Sequence, residues 1–179
     1  CDLALPLITV HEAFPGHHLQ LCHANRAGSR LRRLADSNLF CEGWALYCEE
    51  LMHEEGFFPD PLTRLFQLKA LLWRACRVVI DVGLHTGRMS FEQAVDCLVD
   101  EVMLERVDAE SEVKRYATTP TQPMSYLVGK MLLLELREEA KRRMGPRFNL
   151  HDFHAALLAG GTVPPFLVRE ELWERLPAE

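Results

Sequence analysis

The sequence predicts an all-α fold, and two observations support this. Apolar residues recur at intervals of three and four along most of the 179-residue chain, and helix-capping residues stand where several of these runs begin. No segment alternates polar and apolar residues over a useful strand length, and neither an internal repeat nor a low-complexity segment is present. The chain is long enough to bury one substantial core, so we expect a single domain built as an array of helices.

The first three helices are predicted for residues 8–28, 37–55 and 60–87. The third has the clearest signals: Asp60 is a typical N-cap, Pro61 suits the first helical position, and apolar residues follow at helical spacing. We therefore expect one long amphipathic helix here, with a break before it at Gly56 and after it at Gly87.

A capping box formed by Ser90 and Gln93 begins the fourth predicted helix, which continues to about Met103. Glycine and proline separate the remaining segments, because they favour turns over helix interiors. The other predicted helices cover residues 105–117, 123–144, 150–159 and 165–176, with breaks at Pro120, Gly145-Pro146 and Gly160-Gly161.

Charge and hydropathy argue against two classes of partner. The net charge is -6, and acidic and basic residues are interspersed, whereas a nucleic-acid surface would show clustered lysine and arginine. The clusters Arg32-Arg33 and Lys141-Arg142-Arg143 are too short to form one. No apolar run reaches the roughly 18 residues that a membrane span requires. We expect neither nucleic acid nor a membrane span.

The cysteines show no C-x-x-C pair and lie within apolar helical patterns, where a free cysteine behaves as a small apolar residue. They are Cys1, Cys22, Cys41, Cys48, Cys76 and Cys97. This pattern favours reduced thiols and a cytoplasmic setting. The compartment itself stays open, because we expect a longer parent protein.

The segment from His11 to Gln20 holds the main candidate site. His11 and Glu12 begin a pattern close to H-E-x-x-H, in which two histidines one helical turn apart hold a metal and the glutamate acts as base. Pro15 occupies the place of the second histidine, so the simple motif fails. His17, six positions from His11, lies about 240° round a regular helix, and His18 lies about 10.5 Å along the axis.

A local break can rescue this pattern. Pro15 cannot donate a backbone hydrogen bond, and Gly16 tolerates unusual dihedral angles, so the pair is well suited to bulge out of the helix. Two extra residues there bring His17 to the place that the second histidine normally holds. The sequence therefore predicts that the His11 and His17 imidazoles converge.

Glu42 is the candidate third ligand. Catalytic zinc sites use three protein ligands and leave one position open, and two histidines with a glutamate are a common set. Glu12 directly follows a ligand, so it can act as general base without binding the metal. Glu49, two turns beyond Glu42 on the same helix face, is a candidate to accept the second N–H of a ligand histidine. A solvated carboxylate is the alternative for Glu49.

The motifs resemble a known family when taken together. The run E-G-W-A-L-Y-x-E at residues 42–49 is similar to the third-ligand helix of aminopeptidase N-type gluzincins. The wider pattern is H-E-x-x-P-G-H-x-x-Q, then E-G-W-A, G-L-H-T and S-Y-x-x-G, which resembles bacterial domain-of-unknown-function family 885. The resemblance implies a relationship to the helical metallopeptidases of the thimet oligopeptidase and carboxypeptidase Taq type. The resemblance covers residues 8–130.

Two departures from the family pattern are visible. Thr121 stands where we expect a glycine, and Cys41 directly precedes Glu42. We expect neither residue to contact a proposed ligand.

The resemblance implies a zinc peptidase of the gluzincin type, with one zinc ion held by His11, His17 and Glu42. Tyr126 is the candidate donor to the oxyanion, a role that tyrosine fills in related peptidases, and His85 is a further candidate catalytic group that contacts substrate. The related families favour short peptides as substrates.

Arg115, Tyr116 and His18 are the main further candidates for substrate contacts. Arg115 and Tyr116 are placed to bind a substrate carboxylate, since a guanidinium can donate two parallel hydrogen bonds, and Arg74 and Arg77 share this possibility. His18 is a candidate to line the pocket or support a ligand. An ordinary structural role is the alternative for each of them.

The resemblance also implies a longer parent protein, because the chain starts at Cys1, ten residues before the metal motif. We expect residues 1–179 to be the C-terminal part of a catalytic domain and to form one wall of a metallopeptidase-like cleft. A missing N-terminal portion would supply the other wall, so the fragment alone is expected to have little activity. The alternatives are a catalytically silent remnant that binds metal and peptides, and a helical module with a structural metal.

Overall fold

A computed structural model describes residues 4–176. This part of the chain contains ten α-helices and one short 3-10 helix, Gly145–Arg147, and no strand. The α-helices are Ala4–Glu12 (α1), His17–Ala24 (α2), Arg30–Leu34 (α3), Asn38–Glu54 (α4), Pro61–His85 (α5), Phe91–Val102 (α6), Arg106–Thr118 (α7), Gln122–Met144 (α8), Leu150–Leu158 (α9) and Pro165–Arg175 (α10).

The predicted all-α class is confirmed, and the helices from α4 onward begin and end close to their predicted bounds. Their caps follow from the sequence: Asp60 accepts a hydrogen bond from the backbone of Leu62, and Ser90 and Gln93 form a capping box. Our expectation that this array of helices forms one wall of a cleft stays a prediction.

The single helix predicted for residues 8–28 is wrong. Helix α1 already includes Ala4 and ends at Glu12, and α2 begins only at His17. The interruption at Pro15-Gly16 is confirmed, but it separates two helices and is not a bulge within one. The short helix α3 was not predicted; Ser29 caps it by accepting a hydrogen bond from the backbone N–H of Arg32.

Helix α4 lies at the centre of the larger core cluster. Its Phe40, Trp44 and Tyr47 are almost fully buried, and they pack in one apolar cluster with residues of α1, α8, α9 and α10. A second cluster joins α5, α6 and α7 around Ile80, Leu98 and other apolar residues. The candidate residues of α1, α4, α5 and α8 are thus held on helices that pack into these clusters.

Helices α4 and α8 approach each other closely where both carry a glycine. A Cβ atom added to Gly43 would lie 2.5 Å from the carbonyl carbon of Gly129, and one added to Gly129 would lie 2.0 Å from the carbonyl oxygen of Leu39. Both distances are far shorter than van der Waals contact, so only glycine fits at either position. This crossing fixes Glu42, which precedes Gly43, relative to Tyr126 on α8.

Within residues 4–176, no helix is long and apolar enough to cross a membrane. This agrees with the sequence, which predicts no membrane span.

Gly129→Ala should lower the free energy of unfolding by about 1–3 kcal/mol, the usual cost of overpacking a well-packed contact. Its Cβ would meet backbone, which cannot move aside as a flexible side chain can. Gly28→Ala is the matched control, because nothing lies within 4 Å of the Cβ position there. Chemical denaturation measures both; equal stability of the two variants would contradict the proposed close contact.

Candidate metal centre

The break between α1 and α2 folds back on the end of α1. The backbone N–H of Gly16 donates to the carbonyl oxygen of Val10 at 3.0 Å, and a Cβ on Gly16 would lie 1.9 Å from the His11 carbonyl oxygen. The Trp44 indole donates to the Pro15 carbonyl oxygen at 2.9 Å, which ties the break to α4. The His11 and His17 rings therefore converge, with centroids 4.8 Å apart and planes at 87°.

The buried Gln20 supports this arrangement from the other side of α2. Its side-chain amide donates to the hydroxyl of Thr162 at 2.7 Å and so joins α2 to the segment before α10. This contact gives the glutamine of the H-E-x-x-P-G-H-x-x-Q pattern a structural role.

Glu42 faces both histidines from α4. Its Oε2 lies 3.4 Å from Nε2 of His17 and 3.8 Å from Nε2 of His11. The two imidazoles thus present the same ring nitrogen to one carboxylate. The position predicted for Glu42, next to the histidine pair, agrees with this geometry.

The other nitrogen of each imidazole has its own partner. Nδ1 of His11 lies 2.8 Å from Oε1 of Glu49, which is almost fully buried on α4. Nδ1 of His17 lies 3.4 Å from the Sγ atom of Cys41. Our expectation that Cys41 contacts no proposed ligand is therefore wrong, because residue 41 begins the same helical turn as Glu42 and faces the α2 side. Both rings are held with Nε2 directed at Glu42.

Electrostatics show that this cluster attracts positive charge. Burial lowers the pKa of His11, but hydrogen bonds with Glu42 and Glu49 outweigh burial and raise it to about 9. Burial also lowers the pKa of His17, whose contacts with Cys41 and Glu42 raise it to about 9. Burial raises the pKa of Glu42, yet hydrogen bonds with the two histidines and Tyr126 lower it to about 2.

The donor set fits a divalent metal such as zinc. Two imidazole nitrogens and one carboxylate oxygen converge, and the outward nitrogens have hydrogen-bond partners that fix the rings. Glu12 also approaches: one ligand atom each of His11, Glu12 and His17 all lie within 4.8 Å of one another. The Glu42 carboxylate lies 3.4 and 3.8 Å from the two Nε2 atoms and is partly buried, whereas Glu12 is exposed and borders the adjoining cavity, so Glu42 fits the third ligand position.

Tyr126 lies beside this cluster on α8. Its ring stacks on that of His11 with centroids 6.3 Å apart. The side-chain amide of Gln122 donates to the Tyr126 hydroxyl at 3.3 Å and to Oε1 of Glu42 at 3.4 Å. Burial raises the pKa of the Tyr126 hydroxyl, and Glu42 adds to this, so the hydroxyl keeps its proton at neutral pH.

A cavity of about 410 Å³ opens next to His11. Helices α1, α4, α5 and α8 and the residue Leu104 form its walls. The lining residues are Leu7, Ile8, His11, Glu12, Glu49, Phe66, Lys69, Ala70, Trp73, Arg74, Arg77, Leu104 and Tyr126.

Four of the six predicted catalytic and substrate-binding residues are not among those that line the cavity. Tyr116 is fully buried, and its hydroxyl contacts Trp73, Arg77 and Glu112. It is a core residue, so the structure contradicts its predicted contact with substrate. The sequence does not reveal this role, because the hydroxyl of Tyr116 finds its hydrogen-bond partners inside the protein.

The other three residues make local contacts. Arg115 pairs with Glu112 and donates to Gln122. His18 is exposed and contacts Cys22 at 3.8 Å. His85 contacts the side chain and backbone of Asp81. The structure therefore gives no geometric support for substrate contacts by these residues.

Sequence reasoning missed Cys41 and Gln122. Cys41 was visible as a departure from the family pattern, and Gln122 stands one helical turn before Tyr126. A spacing of four residues on one helix face was the available signal for Gln122. No signal was available for the contact between Cys41 and His17, because it depends on the packing of α2 against α4.

The start of α8 explains why a glycine is expected at residue 121. Thr121 has a φ of 70°, a left-handed conformation that a β-branched residue rarely adopts. Its backbone N–H donates to Oδ1 of the buried Asp81 at 3.2 Å, which holds the residue in place. This strained residue directly precedes Gln122, the first residue of α8, so it sets where the helix begins. The start of α8 in turn determines the position of Tyr126.

Comparison with known proteins identifies the family. Residues 2–172 match the model of a family described as bacterial protein of unknown function, DUF885. The chain belongs to the DUF885 family. The predicted resemblance is thereby confirmed, whereas the comparisons give no support to a relationship with the metallopeptidases. No curated protein matches this DUF885 chain.

Two solved structures are similar to this DUF885 chain. A putative lipoprotein from Colwellia psychrerythraea shares 38% sequence identity at a TM-score of 0.92, covering 97% of this chain and 30% of that one. A putative lipoprotein of unknown function from Shewanella oneidensis shares 34% identity at a TM-score of 0.86, covering 93% and 31%. The chain thus spans less than a third of these relatives. The cytoplasmic setting stays a prediction.

Thr121→Gly should raise the free energy of unfolding of this DUF885 chain by about 0.5–1 kcal/mol. Relief of left-handed strain, worth about 1–2 kcal/mol, is partly offset by the larger unfolded-state entropy of glycine. Thr119→Gly is the control and should be destabilising, because φ there is -131°. Denaturant titration distinguishes the two; destabilisation by both substitutions would contradict the strain.

Proposed function

We propose that this chain carries the metal-binding and catalytic residues of a zinc-dependent peptidase that cleaves short peptides. One observation carries the proposal: the Nε2 atoms of His11 and His17 face the Glu42 carboxylate while the exposed Glu12 borders the adjoining cavity. Three protein ligands with an open fourth position are typical of catalytic zinc, whereas structural sites use four.

Zinc held by His11, His17 and Glu42 would supply a Lewis acid that polarises a carbonyl and lowers the pKa of water. The residues around it have distinct roles. Glu49 and Cys41 hold the two imidazoles in the orientation that directs Nε2 at Glu42. Neither residue needs to touch a substrate.

Glu12 is the general base of this proposal. Its carboxylate is exposed at the cavity and lies beside His11, so it can take a proton from water as the water attacks a peptide carbonyl. The same carboxyl group can then donate the proton to the leaving amine. A glutamate at this place has no structural partner among the described residues, which favours a chemical role.

Tyr126 is the proposed donor to the oxyanion that forms when water adds to the carbonyl. Its hydroxyl keeps its proton, lies near Glu42, and is oriented by the Gln122 amide. A donor that acts mainly on charge developing in the transition state raises kcat more than it lowers KM. His85, Arg115 and His18 have no role in this proposal.

The rival functions are a silent peptide-binding remnant and a helical module with a structural metal. A structural metal would need a fourth protein ligand, and the Cys41 thiol contacts His17. Its Sγ atom faces Nδ1 of His17, on the opposite side of the ring from the Nε2 that faces Glu42. This placement favours a supporting role for Cys41 over a ligand role.

Glu42→Ala should weaken zinc binding by at least about tenfold while it changes the unfolding free energy of the metal-free chain far less, since the side chain is a ligand and not core. Glu55→Ala, an exposed carboxylate at the end of the same helix, is the matched control. Competition with a chromophoric chelator gives both affinities. Equal zinc affinity of the two variants would remove Glu42 from the ligand set.

Glu12→Gln should leave zinc bound but lower hydrolysis of short peptides by about 10²-fold or more, because the amide cannot act as a base. Tyr126→Phe should lower kcat with little change in KM. Both are measured in the natural protein that carries this sequence. If that protein, loaded with one zinc, cleaves no peptide in a broad library, the peptidase proposal fails and the binding remnant replaces it.

A further inference from the structure

We propose that the cavity beside Tyr126 binds the free C-terminal carboxylate of a short peptide whose last residue has a large apolar side chain. The inference rests on the proposed peptidase function and names its substrate class. The chain would then remove residues from the C-terminal end of peptides. The proposal follows from the cavity walls, from the state of Arg77, and from the distribution of charge along α5.

The cavity walls favour a large apolar side chain. Leu7 and Ile8 line one side from α1, and Phe66 and Trp73 line the other from α5. A volume of about 410 Å³ is large enough for an aromatic or leucine side chain together with part of the peptide backbone. Burial of such a side chain contributes about 1.5–3 kcal/mol.

Arg77 is a rigidly held guanidinium that lines this cavity. The residue is 8% exposed. Its Nε donates to the Tyr116 hydroxyl at 3.0 Å, and one Nη lies 3.3 Å from Glu112. Three aromatic rings surround the Cζ atom: those of Trp73, Tyr116 and Tyr126, at 5.0, 5.7 and 5.0 Å. Little side-chain entropy remains to be lost when it binds an anion.

The guanidinium still has donors to offer. No described residue accepts a hydrogen bond from Nη1 of Arg77, and this atom is not among the buried polar atoms that lack a partner. It therefore keeps some accessible surface, and Arg77 is one of the residues that line the cavity. A guanidinium binds carboxylates through its planar set of N–H donors, so an arginine with free donors at a cavity wall suits a peptide terminus.

Positive charge exceeds negative charge along the α5 wall. Arg77 and Arg115 share the single carboxylate of Glu112. Lys69, which also lines the cavity, forms no ion pair with any residue from 4 to 176. The charge of Arg74 is partly balanced, because Oε1 of Glu49 lies 3.6 Å from Nη2 of this arginine. An anionic end of the substrate would be attracted to this wall and kept away from Glu12.

The carboxylate site lies close to the metal ligands. The Tyr126 ring lies near both Arg77 and His11. Its centroid is 5.0 Å from Cζ of Arg77 and 6.3 Å from the centroid of the His11 ring. An extended peptide advances about 3.3 Å per residue, so a carboxylate at Arg77 places the reacting bond within about three residues of the C-terminus.

The test measures binding without hydrolysis, in the Glu12→Gln variant of the natural protein. Isothermal titration compares N-acetyl-Ala-Ala-Phe as the free acid with the same peptide as its C-terminal amide, and with N-acetyl-Ala-Ala-Gly as the free acid. We expect the phenylalanine acid to bind about tenfold or more tighter than either of the other two, since the amide lacks the charge and the glycine peptide lacks the side chain.

Arg77→Lys should reduce the preference for acid over amide to about twofold or less, because an ammonium lacks the planar donors. Thermal unfolding checks that this variant is folded. If the variant is not folded, the comparison of the three peptides in the protein that retains Arg77 still tests the inference. Equal binding of acid and amide, or no measurable binding of the acid, overturns the inference. In that case the proposed function would still hold if the natural protein hydrolyses peptides and Glu12→Gln abolishes this hydrolysis.

Discussion

The close approach of α4 and α8 at Gly43 and Gly129 is the contact on which the rest of the site depends. It lets the backbones of two buried helices touch, and the residue before Gly43 is Glu42. On α8, Tyr126 lies one helical turn before Gly129 and Gln122 one turn earlier. The bridge from Gln122 to both Glu42 and Tyr126 is possible only at this separation. A side chain at either glycine would move the candidate ligand away from the candidate oxyanion donor.

The second constraint is the tie between α4 and the break after α1. Trp44 follows Gly43 and donates to the Pro15 carbonyl, while Glu49, farther along α4, accepts from His11. One buried helix thus supplies the third candidate ligand, the hydrogen bond that holds the break, and the partner of an imidazole. Two of these tasks fall within the E-G-W-A motif, which supplies the Glu42 carboxylate and the Trp44 indole donor. The other two residues of the motif are Gly43, which makes the close contact with α8, and Ala45, which is fully buried.

The residues that sequence reasoning located correctly are those whose placement is a local problem. A proline and a glycine in a six-residue interval exclude a regular helix, so the break and the approach of His17 follow from backbone sterics. Glu49 follows from helical periodicity. The separation of α1 from α2, the contact of Cys41 with His17, and the burial of Tyr116 depend on how helices distant in sequence pack. No periodic signal distinguishes a tyrosine that lines a cavity from one whose hydroxyl is satisfied by buried partners.

We propose that the two histidines and Glu42 hold a metal through nitrogen and oxygen while Cys41 only supports His17. X-ray absorption of the zinc-loaded natural protein tests it most directly, because sulfur and nitrogen ligands differ in distance. We predict nitrogen and oxygen neighbours at about 2.0–2.2 Å, including scattering from two imidazoles, and no sulfur. A sulfur neighbour at about 2.3 Å would make Cys41 a ligand, fill the fourth position, and contradict a catalytic site.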